Sequence, residues 1–296
     1  NDNLKIEKIS NAGIHTYSSD DLHMYEIKET SDGGFIVGIM WYSYSDVDRY
    51  IEAACTENNE QINLKLALGT DSVIPGVILK YNSDYKVQHA AVINTNSTDR
   101  FVVGITELKE TPDKGYIMTG AYRYNTINIP AEDTVDGEEL STAKSEAAYP
   151  FIAKFNQDLK VEWLKSPMQD DGKYGFMVYQ DVNIDKNGDY IVVGQMLNEN
   201  FTSIPGTDTV SGEPIDLVKY GDYFQCAVLV KYRKDGKIEW YKVPGVIMPQ
   251  SDNLEEPLAD YFTDLEELEN GNFLILAAKT YNYGDAVIKA EDTEDG

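Results

Sequence analysis

Four acidic residues recur at one fixed position of an internal repeat. Each stands nine residues before an aromatic residue that follows a turn, and each is followed by an aliphatic residue. If the strands that carry them line a channel, four carboxylates would repel one another unless a cation or protons lay between them. Oxygen ligands suit calcium, or another hard cation, better than zinc. The alternatives are that each acid accepts hydrogen bonds from the backbone or a neighbouring repeat, or that the acids are catalytic. The four residues are Glu26, Glu107, Asp181 and Asp264.

A cluster of aromatic residues lies in the stretch WYSYSDVDRYIEAAC. Rings of this kind stack on sugars or on the surface of a partner protein. The alternative is that they pack this stretch onto the strands beside it. The residues predicted to contact a ligand are Trp41, Tyr42, Tyr44 and Tyr50.

Other chemical motifs in the chain are weak. The stretch DKNGD at Asp185 opens like a calcium loop but lacks the glycine and the glutamate that such a loop needs, so it predicts a hairpin turn. The three histidines, His15, His23 and His89, share no metal-ligand spacing. The sequence therefore predicts no catalytic residue.

These residues are positioned by a repeat of about 80 residues. A turn and an apolar strand recur as SDGGFIVG, PDKGYIMTG, DKNGDYIVVG and LENGNFLILA, and patterns such as GVILKYNSDYKVQHA follow them. Apolar strands joined by short polar turns are typical of β-hairpins. Each repeat therefore predicts four antiparallel strands, which we name a to d. We expect a single domain, 1–296, with repeats at approximately 12–93, 94–167, 168–245 and 246–296.

The fold expected from these repeats is all-β, a propeller of four four-stranded antiparallel blades. Strand b is apolar on both faces and needs cover on both sides, which stacked blades provide. The fourth repeat stops before its strand d, whereas residues 1–11 contain DNLKIEK, which resembles strand d of the second repeat. We expect this N-terminal strand to complete the last blade and close the ring. The alternative is that the chain is half of a larger propeller.

The strand register predicts three ion pairs. Lys154 should lie near Glu162, and Lys231 should lie near Glu239. If the ring is closed, Lys289 should lie near Glu7 at the other end of the sequence. In each pair the lysine belongs to strand c and the glutamate to strand d of one blade.

Long connections join strands b and c in three repeats, at about 41–75, 123–149 and 197–224. Long connections on one face are the usual place for recognition. The second and third contain NIPAEDTVDGEEL and SIPGTDTVSGEPI, which indicates a copied segment, whereas the first has its own sequence. Two segments in them, RYIEAAC and LSTAKSEAA, suggest short helices.

Composition excludes some classes of partner. The chain of 296 residues has 25 basic and 51 acidic residues and a formal charge of −26, which repels nucleic acids and anionic lipids. No apolar run reaches the roughly 18 residues of a membrane helix. The first residues lack a signal-peptide core, so we expect a targeting segment to be absent or removed. Cys55 and Cys226 are too few for a disulfide framework and are predicted to be free.

The pattern IKETSDGGFIVG … GVILKYN … KVEW resembles the propeller repeats of secreted and surface-anchored proteins of Gram-positive bacteria. In that family a Thr-Ser-Asp-Gly-Gly-Tyr turn alternates with a Lys-Tyr-Asp … Gly … Trp hairpin. The resemblance covers nearly the whole chain but departs from it at ELENGNF in the fourth repeat and at His89, which stands at the tryptophan position. It implies an extracellular location and an adhesive or ligand-binding role, and it carries no defined catalytic residues.

Taken together, these features favour a non-enzymatic binding module, a monomeric domain of a larger surface protein that presents its b–c connections to a protein or glycan. One alternative is a glycan-cleaving or lactone-hydrolysing enzyme that uses the central carboxylates. Such an enzyme needs a few convergent acids in unequal environments, and one acid per repeat argues against it. Another alternative is a ligand-free spacer, which would have no use for long connections.

Overall fold

The chain is all-β in the part that the structure describes. The computed structural model describes residues 14–15, 21–42, 49–66, 73–95, 101–145, 148–166, 169–170, 176–197, 201–217, 225–243, 245–247, 255–257, 261–268, 273–278 and 287–288. The helical elements within these ranges are three short 3-10 turns, at Ala53–Cys55, Ala131–Asp133 and Gly206–Asp208.

The strands follow one another with short turns between them. In chain order they are β1 (Ile14–His15), β2 (Asp21–Glu29), β3 (Phe35–Tyr42), β4 (Arg49–Ile51), β5 (Ile62–Leu64), β6 (Val73–Ile74), β7 (Gly76–Tyr81), β8 (Val87–Ile93), β9 (Phe101–Glu110), β10 (Tyr116–Arg123), β11 (Asn128–Ile129), β12 (Leu140–Ser141), β13 (Ala148–Phe155), β14 (Val161–Lys165), β15 (Gln169–Asp170), β16 (Phe176–Ile184), β17 (Tyr190–Leu197), β18 (Phe201–Ile204), β19 (Ile215–Asp216), β20 (Gln225–Tyr232), β21 (Ile238–Lys242), β22 (Gly245–Ile247), β23 (Glu255–Pro257), β24 (Tyr261–Glu267), β25 (Phe273–Ala278) and β26 (Val287–Ile288).

The first three repeats each form the four antiparallel strands that the sequence predicts. Repeat 1 pairs in the order β2-β3-β7-β8, repeat 2 in the order β9-β10-β13-β14, and repeat 3 in the order β16-β17-β20-β21. The register places the aromatic residue after each turn opposite an aromatic residue of strand c. In repeat 1 these are Phe35 and Tyr81, whose rings stack with centroids 4.5 Å apart.

Strand b is buried on both faces, as its sequence predicts. In repeat 1, Ile36 belongs to a large core that continues into repeats 2 and 3. Its neighbour Val37 faces the opposite side, where Ile51 and Leu64 from the long connection complete a separate apolar cluster. The connection of repeat 1 therefore covers one face of its own sheet.

Backbone pairing and strand packing join consecutive repeats. The segment before strand c pairs in parallel with strand a of the next repeat, through Val73 with Phe101 and through Ala148 with Phe176. The a strands also pack in sequence, β2 on β9, β9 on β16 and β16 on β24. No comparable packing of β24 on β2 is present among the described strands.

A buried lysine in strand c forms an ion pair with an aspartate in the a–b turn of the same repeat. Lys154 is 2% exposed, donates to the carbonyl of Phe155 at 3.0 Å and lies 3.1 Å from the carboxylate of Asp113 in the turn. A Cβ atom at Gly115 would lie 2.4 Å from this ammonium group, so the turn needs glycine where the lysine crosses it. Lys80 holds Asp32 of repeat 1 in the same way, at 2.8 Å.

The two ion pairs predicted within repeats 2 and 3 are confirmed. Lys154 lies 3.5 Å from Glu162, and Lys231 lies 3.4 Å from Glu239. The closer partner of each lysine is the turn aspartate, which the sequence analysis did not identify; Lys231 lies 3.0 Å from Asp185. The third predicted pair, Lys289 with Glu7, lies outside the described residues.

The fourth repeat differs from the expectation. Its strands β24 and β25 form a two-stranded antiparallel sheet. The expected strand c, at Val287–Ile288, does not extend this sheet but pairs with β22, which offers it an antiparallel edge. The N-terminal strand expected in residues 1–11 lies outside the described part of the chain.

The helices suggested for the long connections are wrong where the structure describes them. In RYIEAAC, Arg49–Ile51 is a strand paired with β1 and β5, and only Ala53–Cys55 turns as a 3-10 helix. In LSTAKSEAA, Leu140–Ser141 is a strand paired with β11. Pairing with neighbouring strands overrides the local helix propensity of alanine and glutamate.

Candidate functional site

The four predicted acids lie on the a strands and contact lysines or backbone amides of their own or the neighbouring repeat. Lys28, two residues after Glu26, lies 2.6 Å from Glu26 and 3.2 Å from Glu107 of the next repeat. Lys109, two residues after Glu107, lies 3.0 Å from Asp181 of the repeat after that. Each lysine therefore links its own repeat to the following one.

Backbone amides continue this chain of contacts into repeat 4. The Asp181 side chain is almost fully buried and accepts hydrogen bonds from the N–H of Val182 at 2.7 Å and the N–H of Leu265 at 2.8 Å. Asp264 accepts from the same Leu265 N–H at 2.9 Å. Asn183 takes the position of the lysine and donates to the carbonyl of Leu265 at 3.4 Å.

Burial and ion pairing shift the pKa values of these groups. Desolvation raises the pKa of Glu107, with nearby Lys109 opposing that shift, and burial likewise raises the pKa of Asp181. Burial works to lower the pKa of Lys28, but its contacts with Glu26 and Glu107 outweigh this and raise it. We call the a-strand acids together with Lys28 and Lys109 the charge chain. In it, the carboxylates form ion pairs and are partly desolvated.

The cation site predicted at these acids stays a prediction, and the described geometry brings no ligand cluster together for it. In the described part of the chain, no three His, Cys, Asp or Glu side chains come together in a way that could hold a metal ion. Lysine ammonium groups stand where a cation was expected to neutralise Glu26, Glu107 and Asp181. The arrangement corresponds to the alternative that the acids accept hydrogen bonds from a neighbouring repeat, with ion pairs added.

The aromatic cluster is divided between core and surface. Trp41 is fully buried in the apolar cluster of repeat 1, so its ring presents no face to a surface ligand and the packing alternative describes it. Tyr42 is half-buried, with its ring 4.8 Å from that of His23. Tyr50 is also half-buried, and Tyr44 lies outside the described residues. Ligand contact by the tyrosines stays a prediction.

The three long connections share one structure, although only two share a sequence. Each runs from a strand through a 3-10 turn to a threonine that forms a parallel bridge to the start of strand d in its own repeat. These bridges are Thr56 with Val87, Thr134 with Val161, and Thr209 with Ile238. The threonine hydroxyls donate to the first carbonyl of the turn, at 2.9–3.0 Å. The first connection is therefore a third copy of this hairpin and not a singular element.

Each hairpin also reaches back to the preceding repeat. In repeat 2, the N–H of Asn128 donates to the carbonyl of Asn94, directly after strand d of repeat 1, at 2.8 Å. In repeat 3, β18 pairs with β15, which follows strand d of repeat 2. The hairpins therefore join the outer parts of successive sheets, as the lysines join their inner strands.

A cleft of 470 Å³ lies between repeats 1 and 2, bounded by the two hairpins. Its base is the outer edge of β8, one wall is the end of the first hairpin at Asn63 to Lys65, and the other wall runs from Asn128 to Asp133. Asn94 at its end has a buried Oδ1 that has no hydrogen-bond partner among the described residues. The sequence analysis missed this cleft, because its walls come from segments far apart in the chain.

A second cavity, of 460 Å³, lies on the turn side of the same boundary and is lined by His89 and Tyr116. At the equivalent place between repeats 2 and 3, Trp163 packs with its ring 5.9 Å from that of Tyr190 and donates to the carbonyl of Lys234 at 2.9 Å. A Cβ atom at Gly236 would lie 3.0 Å from the Trp163 ring. His89 stands at the position of this tryptophan, with its Nε2 3.6 Å from Oδ1 of Asp158, and Leu159 stands at the position of that glycine.

Comparison of the chain with known protein families and with curated proteins finds no match. Among the described residues, no helix is both long and apolar enough to cross a membrane. The geometry of the charge chain, the hairpins and the cleft is therefore the basis on which a function is inferred.

Proposed function

We propose that the protein is a four-bladed propeller that acts as a non-enzymatic, extracellular ligand-binding module. The observation that carries this proposal is the pairing of the inner-strand acids. Lys28 and Lys109 hold Glu26, Glu107 and Asp181 at 2.6–3.2 Å, and the backbone N–H of Leu265 donates to Asp181. Acids paired in this way link neighbouring repeats, and their charges are neutralised by lysines of the chain itself.

An enzyme of the glycan-cleaving type would need a different arrangement. It requires one protonated acid and one ionised partner aimed into a common pocket. The raised pKa of Glu107 is compatible with a proton donor, but the lysine at 3.2 Å favours its ionised form and occupies the space beside it. The cleft between the hairpins, where a ligand has room, is lined by two acids, Asp133 and Asp158, together with Lys65 and Lys160, and its described lining includes none of the four a-strand acids.

Two features support closure of the ring. The first hairpin pairs with β1, as the third hairpin pairs with β15, which follows strand d of the repeat before it. The same relation would place a strand d in the residues before Ile14. The outward faces of the first and fourth repeats also carry exposed apolar side chains, at Met24 and Ile27 and at Leu274 and Leu276, which are 59–66% exposed. Contact between these faces would bury them.

Closure is tested by a cysteine pair across the two faces. In a Cys55→Ser background, Ile27→Cys and Leu274→Cys should form a disulfide within one chain under mild oxidation. A matched pair that combines Ile27→Cys with Val135→Cys, an exposed position on the second hairpin, should not. A disulfide that forms only between two chains would contradict closure and favour a larger ring built from two copies.

The binding function is tested by screening the intact protein on a glycan array and on an array of extended peptides, together with turnover of chromogenic glycosides and aromatic lactones. We expect saturable binding to one array, no turnover, and binding that is unchanged in Glu107→Gln. Turnover that is lost in Glu107→Gln would contradict the proposal and assign this acid a catalytic role. The extracellular location, secreted or surface-anchored, is part of the proposal and is supported by the repeat pattern.

A further inference from the structure

We infer that the cleft between the first two hairpins binds a short, uncharged, extended peptide, which adds a strand to the open edge of β8. This inference rests on the proposed binding function, for which it names the site and the class of ligand. It follows from three features of the cleft: an unpaired strand edge, an unsatisfied buried acceptor, and a lining whose charges cancel.

The edge strand is the first feature. β8 is the last strand of its sheet, and its outer edge already receives backbone bonds at both ends. The N–H of Glu57 donates to Val87 O at 3.0 Å, and the N–H of Asn128 donates to Asn94 O at 2.8 Å. Both backbone groups of a strand residue point to the same side, and alternate residues repeat that direction. The groups that point outward between the two ends are therefore those of Ala90 and Val92.

These outward groups are available to a ligand. Within the described part of the chain, no backbone partner bonds Ala90 or Val92 on this side, and both residues are half-buried in the cleft. An unpaired strand edge is a template for another strand. Peptide-binding domains use such an edge to add an extended segment by main-chain hydrogen bonds. The two hairpins leave room here for about four residues of extended chain.

The unsatisfied acceptor is the second feature. The amide nitrogen of Asn94 donates to the carbonyl of Lys65 at 2.7 Å, and this bond fixes the orientation of the side chain. Its Oδ1 is buried and has no partner among the described residues. A buried acceptor without a hydrogen bond is energetically unfavourable. A ligand N–H at the end of the cleft would satisfy it.

The lining is the third feature, and it decides the class of ligand. Two lysines and two aspartates line the cleft, so their charges cancel although the chain carries −26. The remaining lining is largely aliphatic, with Ile129, Pro130 and Leu159. No aromatic ring occurs among the described lining residues for a sugar to stack on. An uncharged peptide backbone, which alternates N–H and C=O groups, fits the edge better than a ring of hydroxyls.

The test uses the full chain and a fluorescein-labelled, capped pentapeptide, Thr-Val-Thr-Val-Thr, together with an array of other uncharged capped pentapeptides. Binding is measured by fluorescence polarisation. Two N-methylated forms of the best pentapeptide are compared, one methylated at its odd residues and one at its even residues. Because only one edge of an added strand faces β8, one form should lose binding at least tenfold and the other should retain it.

Two variants of the second hairpin locate the site. Asp133→Trp places a large side chain in the cleft from an exposed position, and we expect it to weaken peptide binding at least tenfold. Asp136→Trp, an equally exposed position of the same hairpin that does not line the cleft, should leave binding unchanged. Thermal unfolding of both variants reports whether they fold.

The outcomes separately test strand addition at β8, the class of ligand, the cleft as the binding site, and the proposed binding function. Equal loss from both methylated forms, or peptide binding that Asp133→Trp does not weaken, would overturn strand addition at β8. A glycan whose binding is lost in Asp133→Trp would keep the cleft and overturn the peptide as its ligand. A ligand from either array that binds both variants normally would overturn the cleft but leave the proposed binding function. Failure to bind on both arrays would contradict that function itself.

Discussion

Replacing Asp113 by asparagine should destabilise the protein more than replacing its buried partner, Lys154, by methionine. The two members of this pair differ sharply in exposure, because the lysine side chain is 2% exposed and that of the aspartate is 61% exposed. Asp113→Asn leaves a buried ammonium group with only Glu162, at 3.5 Å, as a charged partner. Lys154→Met leaves a carboxylate that water can solvate.

The magnitudes follow from that asymmetry. Removing one partner of a buried pair costs about 3–5 kcal/mol when the remaining charge stays desolvated. Glu162 retains part of the compensation, so we expect Asp113→Asn to lower the free energy of unfolding by about 3 kcal/mol. An apolar side chain of similar volume often replaces a buried ion at little cost, so we expect Lys154→Met to lie within about 1 kcal/mol of the parent. The double variant should resemble Lys154→Met.

The assay is urea unfolding followed by circular dichroism and tryptophan fluorescence, with coincidence of the two probes as the check on two-state behaviour. Asp235→Asn is the matched control, because this exposed turn aspartate accepts a bond from the N–H of Lys237 at 3.1 Å but faces no buried cation. Its cost should stay within about 0.5 kcal/mol. Asp185→Asn should fall between the two, because Lys231 keeps Asp189 at 3.6 Å.

A result in which Lys154→Met costs more than Asp113→Asn would refute this reasoning. The lysine would then stabilise the strand through the packing of its aliphatic stem and its bond to the carbonyl of Phe155, and not through its charge. Equal costs with a non-additive double variant would show that the pair acts as a unit, with neither member left desolvated alone.

Three further predictions concern the charge chain, the boundary of repeats 1 and 2, and the thiols. Burial raises the pKa of Glu107 above its ordinary 4.5, so its stabilising effect is complete below that value and is lost as pH rises through the folded pKa. Glu107→Gln should therefore flatten the fall in melting temperature from about pH 4.5 upward, and an unchanged fall would implicate another group. His89→Trp should be destabilising alone but should gain at least about 1 kcal/mol of favourable coupling with Leu159→Gly in a double-mutant cycle, because at the next boundary Trp163 lies against Gly236. Additive costs would contradict contact between these two positions. Burial raises the pKa of Cys226 to about 12, whereas Cys55 is half-buried in a surface turn, so Ellman's reagent should titrate one thiol in the native protein; two fast thiols would contradict this.

Much of the secondary structure could be predicted from the sequence because its signals are local. A Gly-containing turn followed by an apolar segment specifies a hairpin wherever it occurs, and three repeats fold as expected. The first long connection shows the limit of sequence similarity. EAACT and PAEDT share little beyond the final threonine, yet both form the same turn and bridge. The reason is that the buried hydroxyls of Thr56 and Thr134 donate to equivalent carbonyls, those of Ala53 and Ala131.

The candidate sites were harder to predict because they depend on contacts between repeats. The lysines of the charge chain were visible, since Glu26 and Glu107 are each followed two residues later by lysine. Their ion pairs with the acids of the next repeat were not predicted, because comparing equivalent positions of the repeats does not show which side chains of neighbouring strands lie together. Trp41 was expected at the surface because it begins a connection, but the connection folds back over its own sheet and buries it. The cleft has no sequence signature, since Lys65, Asn94 and Asn128 meet only in the fold.

Among the first three repeats, the departures at strand d and the c–d turn lie at the boundary between repeats 1 and 2. There His89 stands in place of tryptophan, Leu159 in place of glycine, and both the 470 Å³ cleft and the 460 Å³ cavity lie at this boundary. Between repeats 2 and 3, Trp163 fills the space that corresponds to the second cavity. A residue that recurs at the same position in the repeats stabilises each sheet in the same way, as the turn aspartates and strand-c lysines do. A ligand, in contrast, needs a place where the copies differ, because identical boundaries would offer the same surface several times. We therefore assign the proposed ligand to the boundary where tryptophan is replaced.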